Sequence, residues 1–304
     1  MNHFLDIADL NPSELDHLLK LAVQLKIEWQ SGGNRPVLGG QVLAMVFQKP
    51  SLRTRVSFDV AMLHLGGHGL YLSPAEIGLG QRESIPDVAR VLSGMTQGIM
   101  ARVFAHDHLK ALAAWSTVPV INGLSDKSHP CQAVADMLTI YEHFGALRGL
   151  TLAYVGDSNN VTYSLAEAAA HLGVRLRIGS PEGYRFDAAA LGYFRELGLD
   201  LTEAPTAEDA VQGADVIYTD TWTSMGQEAE SEKRRAVFPP FQVNEALLRQ
   251  APAHAVVLHC LPAHRGEEIT DPVADGRQSL IFAQAANRLH AQKAILVRSL
   301  GKNR

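Results

Sequence analysis

The sequence predicts an α/β protein of two domains, each a parallel sheet flanked by helices, joined by bridging helices. Three observations carry that prediction. Short, continuously apolar runs such as Val42–Phe47 and Val216–Thr219 alternate with longer segments of helical periodicity. Strands that are apolar throughout are buried on both faces, as in a parallel sheet between helix layers. The alternation restarts near Leu150 with a new strand–helix–strand unit, and 304 residues suffice for two domains of ordinary size.

Asn11-Pro12-Ser13-Glu14 opens the first helix, with proline in the first turn and an acid behind it. Leu15, Leu18, Leu19, Ala22, Val23 and Leu25 continue it at helical spacing until Gly32, Gly33 and Pro36 break the pattern. After the Val42–Phe47 strand, a helix over 53–65 carries Val56, Val60 and Leu63 on one side and stops at Gly66-Gly67. A strand over 69–72 follows. The segment 73–83 contains Pro74, Gly78 and Gly80 and reads as a mobile loop. Helices over 85–95 and 109–116 then separate strands over 98–104 and 118–122. Ser125-Asp126-Lys127-Ser128-His129-Pro130 caps a helix striped by Val134, Met137, Leu138 and Tyr141. That helix is the expected bridge. It divides the chain into domains over 1–145 and 146–286, with a C-terminal helix over 287–304 returning to the first.

The second half begins with a strand over 150–155, then Gly156-Asp157-Ser158-Asn159-Asn160, a helix over 162–172 and a strand over 174–178. One glycine stands where a dinucleotide fingerprint needs three, and Gly179-Ser180 takes the place of the ribose-binding acid. Nicotinamide binding is therefore not expected. Helices over 187–197 and 207–211 precede the strand that ends at Asp220. A polar loop starts at Thr223. A strand over 256–258 ends in His259-Cys260-Leu261-Pro262, and a helix over 287–300 closes the chain.

Composition removes several classes of function. The chain is 46% hydrophobic and 19% charged, which is globular. A net charge of −5 argues against a nucleic-acid or anionic-membrane surface. Two distant cysteines, Cys131 and Cys260, suit a reducing compartment, and residues 1–10 lack a secretory pattern, so a cytoplasmic location is expected. No apolar run reaches the length of a membrane span.

The junction Lys49-Pro50-Ser51-Leu52-Arg53-Thr54-Arg55 places three cations and two hydroxyls at a helix start, with no acid before Asp59. A helix N-terminus already carries partial positive charge, so cations belong there only if an anion completes the site. Ligands of open α/β sheets bind beyond the carboxyl ends of the strands. Five such ends are polar here: 51–54, Arg102, Asn159-Asn160, Asp220 and Cys260. Each has a plainer reading, such as a turn cap for Asp220 or a small core residue for Cys260. Their convergence at sheet edges favours a site. His129 and Gln132 lie three apart at a helix start and face one way. His106-Asp107-His108 and the His64/His68 pair read as surface or structural rather than metal-binding, so no metal site is expected.

Ser51-Leu52-Arg53-Thr54-Arg55, His129-Pro130-Cys131-Gln132 with Ala135-Asp136, Asp220 before Ser224-Met225-Gly226, and His259-Cys260-Leu261-Pro262 together resemble the carbamoyltransferase family, and the last two its ornithine branch. The resemblance implies transfer of a carbamoyl group from carbamoyl phosphate to L-ornithine, giving citrulline in arginine biosynthesis, with no metal or cofactor. It implies carbamoyl phosphate contacts at Ser51, Leu52, Arg53, Thr54, Arg102, His129, Gln132, Cys260, Leu261 and Arg288. Ornithine contacts fall at Asn160, Asp220, Ser224 and Met225, and catalytic roles at Arg102, His129, Asp220 and Cys260. It also implies two domains facing across a cleft, and a homotrimer or a multiple of trimers. Carbamoyl transfer to another amine, such as putrescine or an acylated ornithine, stays open as an alternative.

Four positions depart from the family pattern. Leu52 replaces a threonine, leaving only its amide for phosphate. Gly78 stands where a glutamine reaches a neighbouring subunit's ligand. Ala286 replaces a glutamate, which predicts a less firmly oriented Arg288. Tyr163 replaces a smaller polar residue close to Asn160.

Overall fold

Asn11 accepts a hydrogen bond from the Glu14 amide at 3.0 Å, and its own amide donates to the Glu14 carboxylate at 2.8 Å. This reciprocal cap starts α1 (Pro12–Gln30) in the computed structural model, which describes residues 3–224 and 228–301. The chain divides into two units, Met1–Leu138 with Ala286–Arg304, and Thr139–Ala285.

In the first unit, β1 (Val42–Phe47), α2 (Leu52–His64), β2 (His68–Leu72), α3 (Pro74–Ile77) and α4 (Ile85–Met95) follow α1. β3 (Gly98–Arg102), α5 (His106–Trp115) and β4 (Val120–Leu124) complete its sheet, which is parallel in the order β2-β1-β3-β4. β1 and β3 are buried almost throughout, which explains their unbroken apolar sequences. One face of this sheet packs Ala44, Val46, Ile99 and Ala101 against Val88, Leu109 and Leu112 of α4 and α5. Each large apolar side chain so buried contributes about 1.5–3 kcal/mol.

α6 (Pro130–Phe144) leads out of the first unit along the chain. The second unit then runs β5 (Thr151–Val155), α7 (Asn160–Leu172), β6 (Arg175–Gly179), α8 (Ala188–Glu196), β7 (Leu201–Ala204), α9 (Ala207–Val211) and β8 (Val216–Thr219). It continues with α10 (Ser231–Val237), α11 (Glu245–Leu248), β9 (Val256–His259) and α12 (Asp271–Ala274). Its parallel sheet has the order β7-β6-β5-β8-β9. Ala153, Val155, Ile217 and Val257 meet Ala207, Ala210 and Val211 of α9 on one face. α13 (Ile281–Leu300) follows, and the chain from Ala286 onward counts with the first unit.

The fold differs from the sequence expectation in a few elements, each for a local reason. The expected loop over 73–83 contains α3, whose start is a capping box between Ser73 and Glu76. β7 went unpredicted because it is an edge strand of mixed exposure, Leu201-Thr202-Glu203-Ala204, with no apolar run. α10 is Ser-Glu-Lys-Arg-Arg-Ala-Val, which has no apolar stripe to read. α13 starts six residues before the expected 287. Among the described residues, no helix is long and apolar enough to cross a membrane.

Candidate active site

The order of the first sheet reverses between β1 and β3, and their register pairs Phe47 with Arg102. A crevice for a ligand forms beyond the carboxyl ends of such a strand pair. At the end of β1, Ser51 caps α2. Its hydroxyl accepts from the Thr54 amide at 3.3 Å and donates to Thr54 Oγ1 at 3.1 Å. The first turn of α2 carries no acid. Leu52 is 73% exposed. Its side chain thus leaves the junction, while its amide is one of the donors a helix start leaves open. Arg53 is half-buried and Thr54 buried.

The register between β3 and β4 shifts at Arg102. β4 pairs Ala101 with Asn122 but Arg102 with Leu124, so Gly123 is the extra residue. A Cβ on Gly123 would fall 2.5 Å from Met100 Sδ and 3.2 Å from the Ala101 carbonyl oxygen, so a side chain there requires Met100 to move. A bulge bends the strand that carries the extra residue, here β4, and locally interrupts the ladder. Here the bulge sits at the step that presents Arg102, which is 6% exposed.

A stapled turn positions His129. The Ser125 amide donates to the Ser128 carbonyl at 3.0 Å, and Asn122 Nδ2 donates to Ser128 Oγ at 3.1 Å. His129 follows, buried, directly before α6. Burial pushes its imidazole well below the usual range, and the cations Arg288, Arg102, Lys49 and Arg53 push it the same way. The ring is neutral at pH 7 and able to donate one hydrogen bond. Lys49 is itself pushed down to about 8, by burial first and by Arg102 second. Gln132 Oε1 accepts from Arg288 Nη1 at 2.5 Å, and its amide donates to Asp136 at 2.8 Å. Arg288 Nη2 also reaches Thr54 Oγ1 at 3.4 Å. Arg288 is therefore held by Gln132 and Thr54 without the glutamate that Ala286 replaces. Burial raises the Cys131 thiol to about 12 while it donates to the Asn122 carbonyl, which is a structural role.

The second sheet reverses its order between β5 and β8. Asn159, past β5, accepts from the amides of Val161 and Thr162 and so caps α7, while its Nδ2 donates to Asp220 Oδ2 at 2.9 Å. Asp220, past β8, accepts at Oδ1 from Cys260 Sγ at 2.9 Å and from the Thr221 amide at 2.8 Å. Three strand ends thus converge on one buried carboxylate. Asn160 opens α7, half-buried, and Ser224 is half-buried as well. Leu261 follows Cys260 with a positive φ of 56° before a cis peptide to Pro262. Met225, expected at the site, and Gly226 lie outside the described residues.

The site residues expected from sequence thus fall into two groups: Ser51 to Thr54, Arg102, His129, Gln132 and Arg288 in the first unit, and Asn160, Asp220, Ser224, Cys260 and Leu261 in the second. Asn159 and His259 stand among the strand ends singled out from sequence, but their partners do not: the Asn159–Asp220 contact, Glu268 beside His259, and Arg234 come only from the structure. Arg234 donates to Asp157 at 2.6 Å and to the Trp222 carbonyl at 2.7 Å.

Other residues singled out from sequence have local partners. His106 Nδ1 faces Ser125 Oγ at 2.9 Å, His108 faces Gln48, and His64 stacks on Trp29. Gly78 closes α3 with φ 56°, and a Cβ there would meet that of Arg82 at 2.8 Å, so the glycine fits this turn where a glutamine would not. The Tyr163 ring packs among Phe186, Tyr193 and Phe194. Asp220, His259 and Cys260 offer ligand atoms within 4.8 Å of one another, as do His264, Glu267 and Glu268, which sequence spacing did not reveal. In the first group the thiol donates to Asp220 and both His259 nitrogens have protein partners. In the second, Glu267 pairs with Arg235 and His264 faces Thr221.

Family profiles match both halves of the chain: "Aspartate/ornithine carbamoyltransferase, carbamoyl-P binding domain" over residues 2–142, and its "Asp/Orn binding domain" over 148–299. The chain is 52% identical to the ornithine carbamoyltransferase of Anoxybacillus flavithermus over 97% of its own length and 95% of the relative's. It is 49% identical to a Pyrococcus furiosus protein named "Ornithine carbamoyltransferase, anabolic", over 97% and 95% of the two chains. The solved structure of ornithine carbamoyltransferase from Pyrococcus furiosus matches with a TM-score of 0.96 at 48% identity, covering 100% of this chain and 98% of that one.

Proposed function

The chain belongs to the aspartate/ornithine carbamoyltransferase family, and on that premise we propose that it transfers the carbamoyl group of carbamoyl phosphate to the side-chain amine of L-ornithine, giving L-citrulline and phosphate. One observation carries the reading: a buried, neutral His129 whose strongest charged neighbours are Arg288, Arg102, Lys49 and Arg53. Cations gathered around a desolvated ring call for a multivalent anion.

The phosphate takes Ser51, Arg53, Thr54 and the Leu52 amide at the α2 start, with Arg288 beside Thr54. Arg102 and the His129 imidazole donate to the carbamoyl oxygen, where negative charge grows as the amine attacks. Gln132 holds the carbamoyl amide. In the second half, Asp220 receives the α-ammonium of ornithine. Asn160, Ser224 and Met225 hold its amino and carboxylate ends, and Cys260 and Leu261 line the reacting carbon. The attacking amine has a free pKa of about 10.4 and reacts only when neutral. A cationic site favours that neutral form. The C–N bond forms, the bond between the carbamoyl carbon and the bridging phosphate oxygen breaks, and the leaving phosphate carries away the amine's proton. Much of the rate comes from holding two substrates in line.

Residues 1–145 with 287–304 make the carbamoyl phosphate half and 146–286 the ornithine half. Carbamoyl phosphate binds first, and the loop at 224–226 closes over ornithine. The protein is cytoplasmic, assembles as a homotrimer or a multiple of trimers, and serves arginine biosynthesis, in line with the name of its Pyrococcus relative. The test is steady-state turnover with carbamoyl phosphate and ornithine, putrescine, acetylornithine or aspartate. Ornithine should give the highest kcat/KM. A better rate with another amine overturns the acceptor assignment, and turnover with none overturns the reaction.

A further inference from the structure

The turn after β9 is held by a buried carboxylate that no step above uses. Glu268 and His259 are both fully buried, and His259 Nε2 lies 3.0 Å from Glu268 Oε1. The other ring nitrogen, Nδ1, accepts from the Leu261 amide at 2.8 Å. An amide can only donate, so Nδ1 must present a lone pair and the ring proton sits on Nε2, facing the carboxylate. The same Glu268 oxygen accepts from the His264 amide at 2.6 Å. One carboxylate oxygen thus ties both ends of the segment 259–264.

That segment contains Cys260 and Leu261, the second of which sits at φ 56°, a region L residues seldom occupy. A conformation of this kind persists only where the surroundings over-determine it. Here the hydrogen bond from its own amide to His259 supplies the restraint. The connections also close on themselves. His264 Nδ1 lies 2.9 Å from Thr221 Oγ1, the Thr221 amide donates to Asp220, and Asp220 accepts from Cys260 Sγ, one residue from His259. Glu268 touches neither Asp220 nor Cys260 itself, yet its removal releases the turn from both sides.

We propose that Glu268 is a positioning residue for carbamoyl transfer: by holding the His259 proton on Nε2 it leaves Nδ1 free to grip the Leu261 amide, and so fixes the Cys260–Leu261 backbone at the reacting centre. This rests on the reaction proposed above. A neutral, isosteric Glu268→Gln keeps the volume but no longer enforces that tautomer. A glutamine NH2 turned toward Nε2 moves the proton to Nδ1, against the Leu261 N–H. The turn then loses its register at Cys260 and Leu261, while Asn159 and the Thr221 amide still hold Asp220 and the phosphate groups of the first unit are untouched.

The test compares wild type with Glu268→Gln in steady-state turnover and in 15N-resolved NMR of the histidine rings. Wild-type His259 should show the 15N shifts of the Nε2–H tautomer. In Glu268→Gln that signature should be lost, kcat should fall on the order of 100-fold, and both KM values should stay within about threefold. Glu268→Asp withdraws the carboxylate by one methylene and takes the place of Glu268→Gln if the latter does not fold, with the same expectations. Full kcat in a folded variant overturns the proposal, as does a fall in kcat with the tautomer unchanged. A wild type that makes no citrulline instead overturns the reaction, so the two failures are told apart.

Discussion

The thiol of Cys260, just past β9, donates to Asp220 Oδ1, just past β8, at 2.9 Å. Asn159 Nδ2 holds the other oxygen of the same carboxylate from the end of β5. Asp220 is thus oriented from two sides before any substrate arrives, and its remaining lone pairs suit an ammonium group. Asp220→Asn keeps the shape and removes the charge. A hydrogen bond to a charged group is worth about 1.5–3 kcal/mol, so kcat/KM for ornithine should fall roughly 10- to 150-fold. The KM for carbamoyl phosphate should not move. Initial-rate measurements over both substrates decide it.

Arg102 is asked to stabilise charge that exists only during reaction. Its truncation to alanine should therefore lower kcat more than it weakens binding. Loss of one such donor costs about 2.7–4 kcal/mol, or 10²–10³ in kcat. The bulge at Gly123 makes a second, gentler probe. Gly123→Ala pushes a methyl group against Met100 and the Ala101 carbonyl, the two residues that lead into Arg102 on β3. It should reproduce part of the Arg102→Ala defect with the guanidinium still present. Unchanged kcat in Arg102→Ala would remove it from the mechanism.

These residues also mark how far sequence reaches. β1, α4, α9 and β8 were legible to the residue because apolar period and punctuation agree there. The cationic start of α2 announced an anion site because its charges oppose the helix dipole. The bulge was not legible. Gly123 has an ordinary place in an apolar strand, and what crowds a side chain there is Met100 on the neighbouring strand. Glu268 and Arg234 were equally silent. Each is a charged residue in a polar stretch, and burial, which makes it matter, is a tertiary property. The Cys260–Asp220 contact spans 40 residues and no spacing rule could have supplied it.

Lys49 gives the phosphate site a pH dependence with a definite sign. Burial and Arg102 lower its ammonium to about 8. Below that pH the group is charged and adds to phosphate binding. Above it the empty site holds a neutral amine, and an arriving dianion must draw in a proton. Affinity for carbamoyl phosphate or inorganic phosphate should thus fall as pH rises through about 8, with proton uptake on binding. Calorimetry at pH 8.5 in buffers of different ionisation enthalpy measures that uptake directly. Lys49→Met should bind more weakly at pH 7 and show none of it. An equal uptake in the variant would assign the proton to another group.

Arg234 is the last element the site depends on without touching a ligand. Its side chain is 5% exposed, and it joins Asp157 at the end of β5, the Trp222 carbonyl two residues before Ser224, and Glu230. The ring of Tyr184 lies 4.8 Å from its guanidinium. Burial keeps the Asp157 carboxyl above its usual range even with this partner beside it. Arg234→Ala strands that carboxylate, and losing one member of a buried pair costs about 3–5 kcal/mol. The variant should unfold at lower denaturant. It should also raise the KM for ornithine, because the backbone leading to Ser224 loses its anchor, and leave the KM for carbamoyl phosphate alone. Replacing both partners, as Asp157→Asn with Arg234→Met, removes the stranded charge. Stability should then recover in part while the ornithine defect persists, since the Trp222 carbonyl still lacks its donor. If stability and ornithine KM recover together, the pair acts only through folding and not through the position of Ser224.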